Sequence, residues 1–432
     1  MKQYSQLFTK AFAVVFLLVA ANTPVLAASV ELSLDDSIGL ALKNNPTIKV
    51  AEADKEKSRW AIEQAEAGKG FALGYTHTDL RSDKSSTTLA VVPLYNLFSN
   101  QLSLSLPVYT GGRLESQIDQ AKLNYNVSVL NVDATRQQLK LSATTGYFNV
   151  LQTRNLVEVS RQSVDDFAGH LKNVQAQLDA GTVALNDVLQ TQVQLANAQD
   201  GLIKARNNYD LAVANLNNIV GLPLDSEIKL KGDFKYEQYP LQLDSCVQYA
   251  LVNRPEMAQA EANTRVAQDQ VKVARSGSLP SVGFNAANGW QANNFPGTQN
   301  SNWSASLTAS LELFDSGLVK SEVKQAEYGV TTSQEQARQI RDNISLQVRQ
   351  AFLSMKEAEK RIDTSKVAVN QADEDLRMTE VRYEAGVGTN LDVIDAELAL
   401  TQAKTNYIQA LYDYNSGKAQ LDQAMGVPVK QS

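Results

Sequence analysis

The sequence predicts a mainly α-helical chain that also carries membrane-spanning β-strands, with one β-β-α-α unit written twice. Three observations support that expectation. Landmark residues recur along the chain at a nearly constant offset. Two long windows contain no charged residue yet alternate apolar and small polar side chains. Most of the remaining length lies in proline-free stretches with an apolar residue at every seventh position.

Composition narrows the function classes. The chain has 432 residues, 43% of them apolar, which is enough for a packed core. Only 22 glycines and 10 prolines are present, few for a turn-rich all-β protein. The formal charge of -7 argues against nucleic acid as a partner, because such affinity draws on phosphate neutralisation. With two histidines (His77 and His170) and one cysteine (Cys246), no intrachain disulfide or zinc cluster is possible. There is no GxSxG, Walker loop or Cys/His pair, so neither an enzyme nor a cofactor is expected.

Residues 1–27 read as a signal peptide. Lys2 and Lys10 precede an apolar run, Ala11 to Ala21, and Val25-Leu26-Ala27 supplies small residues before a cleavage point. The run is too short for a membrane helix. No cysteine follows it, so no lipid anchor is expected there.

The first repeat is expected over 28–223 and the second over 243–428, with a linker at 224–242 and a tail at 429–432. Residues 34–46 (LDDSIGLALKNNP) match 243–255 (LDSCVQYALVNRP) at an offset of 209. Beyond the strands the offset is 205: Ala180-Gly181 faces Ala385-Gly386, and Gly221-Leu222-Pro223 faces Gly426-Val427-Pro428. The difference of four residues points to a loop-length change. Each copy reads as a helix, two strands, a long helix and a shorter helix.

The strands, about 70–110 and 280–314, lie in and beside the uncharged windows Ser85–Gly112 and Ser276–Leu311. Leu102, Leu104, Leu106 and Val108 fall on one face; Gln101, Ser103 and Ser105 fall on the other. Trp303, Ala305, Leu307 and Ala309 alternate with serine and threonine in the same way. Partner strands are expected at Phe71–Leu80 and Ser281–Trp290. Period two with an apolar face is the pattern of a transmembrane barrel strand. Tyr95, Phe98, Trp290 and Trp303 suit a membrane interface, with loop placement the other reading of Tyr95 and Phe98. Four strands cannot close a barrel, and lipid leaves no backbone group unpaired. Two, three or four copies would give 8, 12 or 16 strands.

Helical hairpins are expected over 112–220 and 318–425. The heptad positions are Val150, Val157, Val164, Leu171 and Leu178, then Val188, Leu195, Leu202, Tyr209 and Leu216. In the second copy they are Met355, Ile362, Val369, Leu376 and Tyr383, then Val393, Leu400, Tyr407, Tyr414 and Leu421. Such a period means helix-on-helix packing. Gly181 and Gly386 stop the long helices in tight turns. His170 is expected to be a solvated surface residue, and Cys246 a small packing residue.

Together these features resemble the TolC family of outer-membrane efflux proteins over about 30–428. The most specific stretches are Leu106-Pro-Val-Tyr-Thr-Gly-Gly112, Arg382-Tyr-Glu-Ala-Gly386 and Asp392-Val-Ile-Asp-Ala396. The resemblance implies a homotrimer with a 12-stranded barrel in outer-membrane lipid, continued by a long α-helical barrel in the periplasm. It also implies a periplasmic adaptor (membrane fusion) protein and an inner-membrane pump or ABC transporter as partners. The chain would be the passive exit duct of a tripartite efflux or type I secretion system.

By the same resemblance, Asp392 and Asp395, with Asp187 and Tyr383, form the pore constriction. Spaced by three, Asp392 and Asp395 share a helix face. Helix capping is the other reading of Asp187 and Asp392. Gly181, Thr182, Gly386 and Val387 form the adaptor-docking tips. Gly388 stands where some relatives carry an entrance-locking arginine. The alternative from another class is a periplasmic coiled-coil scaffold or adaptor that forms no channel.

Overall fold

The computed structural model describes residues 30–82 and 95–429. The expected signal peptide (1–27), most of the expected tail (429–432) and the side chain of Tyr95 lie outside the described residues. The described residues form two compact units. One comprises the described part of Met1–Asn45, with Lys140–Glu237 and Met355–Ser416; the other comprises Pro46–Leu139, Gln238–Ser354 and the described part of Gly417–Ser432.

The chain begins with β1 (Val30–Leu32) and α1 (Leu34–Asn44). Ser33 caps α1: its hydroxyl accepts from the Asp36 N–H at 3.1 Å, and the Asp36 carboxylate accepts from the Ser33 N–H at 3.0 Å. α2 (Pro46–Ala67) follows at once. The single helix expected here is therefore broken. Pro46 has no N–H to donate and drives Asn45 to ψ 132°. The second copy breaks at Arg254–Pro255 in the same way, between α5 (Leu243–Asn253) and α6 (Pro255–Arg275).

Four strands form one antiparallel sheet: β2 (Ala72–Ser82), β3 (Tyr95–Tyr109), β5 (Ser281–Ala292) and β6 (Asn300–Ser310), in the order β2-β3-β5-β6. The register sets Leu104 opposite Leu73 and Ala286, and Phe284 opposite Leu307. Leu73, Leu102, Leu104, Phe284, Trp303 and Leu307 thus share one face, whereas Leu80 and Leu97 pair on the other. The first face is bare: Leu73 is 61% exposed, Leu307 68% and Trp303 79%. The outer edges of β2 and β6 pair with no described strand.

The helical hairpins are α3 (Arg113–Asp179) with α4 (Leu185–Val220), and α7 (Leu318–Glu384) with α8 (Asn390–Met425). Both long helices have 67 residues and both shorter ones 36. At 1.5 Å per residue the long ones extend about 100 Å. None of the heptad residues is exposed; Met355, Leu216, Tyr414 and Leu421 are fully buried. No helix among the described residues is long and apolar enough to cross a membrane.

The Gly-x-Pro landmarks acquire a packing reason. Gly221 ends α4 with φ 73°, a left-handed conformation. A Cβ there would lie 2.7 Å from the Asn44 Cβ, so the end of α4 abuts the end of α1. The Asn45 side-chain amide donates to the Ile219 carbonyl at 2.9 Å across this contact. Gly426 likewise has φ 75°, and a Cβ there would lie 3.0 Å from the Arg254 Cα.

Segment 224–242, expected as a linker, is tied down. Its β4 (Ile228–Leu230) pairs in parallel with β1. The Tyr147 hydroxyl donates to the Lys231 carbonyl, and that of Tyr414 to the Glu237 carbonyl. Buried Asn217 donates to the carbonyls of Leu224 and Ser226 at 3.2 and 2.9 Å.

Candidate functional site: the turns of the helical hairpins

Both turns close by the same backbone device. Gly181 (φ 77°) donates to the Leu178 carbonyl at 2.8 Å, and Thr182 donates to that of Gln177 at 2.9 Å. Gly386 (φ 73°) donates to the Tyr383 carbonyl at 3.0 Å, and Val387 to that of Arg382 at 2.9 Å. These paired bonds satisfy the last carbonyls of α3 and α7. They leave Gly181, Thr182, Gly386 and Val387 exposed at the turns. Gly388 donates to the Arg382 carbonyl at 3.0 Å, and a Cβ there would lie 3.1 Å from the Tyr383 nitrogen. The turn is therefore tight at the position where a side chain is missing.

The two turns are packed together. Val174, Val188, Leu376, Tyr383, Val393, Ala396 and Leu400 form one buried cluster drawn from all four hairpin helices. Asn390, the first residue of α8, is 4% exposed and crosses between the repeats. Its Nδ2 donates to the Asp187 carbonyl at 3.1 Å. Its Oδ1 accepts from the Thr191 hydroxyl at 3.1 Å and lies 2.7 Å from His170 Nε2. With the amide so oriented, His170 must donate from Nε2, which assigns the neutral tautomer. Burial holds His170 below the usual imidazole range, opposed by the Asn390 hydrogen bond. His170 is therefore not the solvated surface residue expected; it packs edge-on to Tyr383, with ring centres 5.3 Å apart.

The acids differ in their surroundings. Asp392 is exposed and caps α8. Its carboxylate accepts from the Thr389 N–H at 2.9 Å, while its own N–H donates to the Thr389 hydroxyl at 3.2 Å. The Thr389 N–H and hydroxyl hold the Asp392 carboxyl below the usual range. Asp187 sits at the same position of α4 and accepts from the Ala184 N–H at 3.3 Å. Ala184 has no side-chain oxygen to return the bond. Asp395 is exposed, one turn beyond Asp392. Tyr383 is buried, and its hydroxyl has no hydrogen-bond partner among the described residues. Burial, and then the charge of Asp187, pushes the phenol up.

Asn390 was the linking residue that reading along the chain did not find. Its equivalent in the first copy is Leu185, so a polar residue in one repeat alone was the available signal. Among the described residues no group of three or more His, Cys, Asp or Glu is placed to hold a metal ion.

Residues 37–222 and 246–427 match the family model described as Outer membrane efflux protein. The chain belongs to this family. It is similar to the outer membrane protein TolC of Escherichia coli (strain K12), at 24% identity over 402 residues, 89% of this chain and 80% of that one. It is also similar to the alkaline protease secretion protein AprF of Pseudomonas aeruginosa, at 26% identity over 413 residues, 92% of this chain and 85% of that one. Among solved structures it superposes on the outer membrane protein VceC of Vibrio cholerae with a TM-score of 0.78 at 20% identity, covering 91% of this chain and 96% of that one. The open-state MtrE channel of Neisseria gonorrhoeae gives 0.75 at 19% identity, covering 91% and 88%. The fold is that of the TolC-type outer-membrane channels, and the protein belongs to the outer membrane, extending into the periplasm. Its relatives are channel proteins, not enzymes.

Proposed function

We propose that this chain is one third of an outer-membrane exit duct that passively conducts substrates from an inner-membrane transporter to the cell exterior. The observation that supports it best is the four-stranded sheet with two open edges and a bare apolar face. Such a sheet is stable in lipid only when its edges are closed by further copies. Three copies supply twelve strands, and the 67-residue helices of each would continue the barrel as a periplasmic tunnel. On this reading 28–223 and 243–428 are two copies of one structural unit.

The turns carry the rest of the proposal. Gly181, Thr182, Gly386 and Val387 receive a periplasmic adaptor protein, which links the duct to a pump or ABC transporter. Asp395 and Asp392 ring the periplasmic entrance, with Asp187 and Tyr383 beside them. No residue forms or breaks a covalent bond. Similarity to a protein named for alkaline protease secretion favours type I secretion as a second reading alongside small-molecule efflux.

Reconstitution in planar lipid bilayers tests the duct. The detergent-extracted protein should crosslink as a trimer, run as a heat-sensitive oligomer on gels and give discrete conductance steps. A water-soluble protein that gives no conductance would overturn the duct in favour of a periplasmic scaffold.

A further inference from the structure

Glu397 lies two turns into α8 and is 4% exposed. Its Oε2 is fully buried and has no hydrogen-bond partner among the described residues. The equivalent residue of the first copy is Gln192, which is exposed, so this burial belongs to the second hairpin alone. A buried carboxylate oxygen without a donor is costly when ionised and cheap when protonated.

The groups facing Glu397 from each neighbouring element make ionisation costlier. α3 contributes Asp166 and α7 contributes Glu380, both acidic. α8 itself supplies the only described relief, the Thr401 hydroxyl and the Lys404 ammonium. Lys404 is shared, since its Nζ donates to Gln162 Oε1 at 3.0 Å and it also attracts Asp166. The cluster is therefore three carboxyls to one ammonium, across three helices.

We propose that Glu397 makes the packing of α8 against α3 and α7 sensitive to pH: protonated, it holds the segment in place, and ionised, beside Asp166 and Glu380, it loosens it. Burial, more than the neighbouring acids, pushes Glu397 up to about 7. Asp166 and Glu380 are pushed up as well, again chiefly by burial. The sign follows from the raised value. Between the ordinary value of 4.5 and about 7 the packed segment holds a proton that the opened segment releases. The stabilisation is thus complete below the lower value and is lost as pH rises through the upper one. His170, one turn from Asp166 on α3, acts with the opposite sign, because burial lowers its value.

Titration of the packing stands without the duct; only its effect on conductance rests on that reading. Hydrogen exchange on the intact detergent-solubilised protein tests it directly, in peptides spanning 160–172, 376–384 and 390–404. Exchange is corrected for its intrinsic pH dependence and compared between the wild type and Glu397→Gln, a neutral variant of the same shape. His170 contributes equally to both proteins and cancels. The ratio of wild-type to variant protection should fall about thirty-fold between pH 5.5 and 8.5, given a shift from 4.5 to about 7. Asp166→Asn should move the midpoint of the wild-type fall to lower pH. A ratio that stays constant across that range, or a midpoint unmoved by Asp166→Asn, overturns the proposal. Conductance recorded at the same pH values separates the two readings: a titrating segment in a protein that never conducts refutes the duct alone.

Discussion

Replacing Asn390 with alanine tests whether the two hairpins are fastened to each other at their turns. The side chain is buried and makes three contacts: to the Asp187 carbonyl, the Thr191 hydroxyl and the His170 ring. Thr191 loses little, because its hydroxyl also donates to the Asp187 carbonyl at 2.8 Å. The bond from Asn390 to Asp187 contributes about 1 kcal/mol net. Loss of the Asn390 oxygen leaves Nε2 of the half-buried His170 without its acceptor, at a cost of about 1–3 kcal/mol. The sum is about 2–4 kcal/mol, a fall in local protection of roughly 30- to 1,000-fold. Hydrogen exchange over residues 390–400 reads it, with residues 318–340 as an internal control. Asn390→Asp keeps the acceptor and offers the imidazole a carboxylate partner. Its His170 would then titrate higher than in the wild type, so the gain in protection that the depressed wild-type imidazole brings as pH rises should shrink. If Asn390→Ala leaves protection within threefold of wild type, the turns are not fastened by this amide.

Other outcomes follow from the same geometry. Tyr383→Phe removes a buried hydroxyl that has no partner, so stability should stay within about 1 kcal/mol of wild type, on the stable side, by thermal melting. Gly221→Ala places a side chain in a left-handed conformation and against Asn44. It should destabilise by at least about 1–2 kcal/mol by the same measurement. Asp392→Ala and Asp395→Ala should each reduce cation selectivity and divalent block in single-channel recordings. Only Asp392→Ala should also raise exchange in the first turn of α8, because only Asp392 caps it. Unchanged selectivity in both would remove these acids from the conduction path.

The fold class was legible because its signals are periodic and long. Seven-residue spacing over 67-residue helices, and two-residue spacing over uncharged windows, each repeat often enough to stand out. The breaks at Pro46 and Pro255 were missed, each pair being read as one helix, although a proline at the boundary was the available signal. The pairing of β1 with β4 was not legible, since three-residue strands carry no period. The contact of His170 with Asn390 joins residues 220 positions apart and depends on packing that no local pattern encodes. Glu397 is hidden for a related reason: a charged side chain on a long helix is ordinarily solvated, and only the assembled helices bury it. The capping box of Asp392 could be read directly, from Thr389 three residues before it.

The unpaired edges of β2 and β6 have a genetic consequence. If each subunit depends on its neighbours for edge pairing, as the proposed duct requires, a defective copy would not merely be inactive; it would occupy places that intact copies need. In a cell making both kinds of subunit, most threefold assemblies would include at least one faulty member. Alleles that spoil the tip but spare the strands should therefore be dominant over the wild type, whereas alleles that destroy the strands should be recessive.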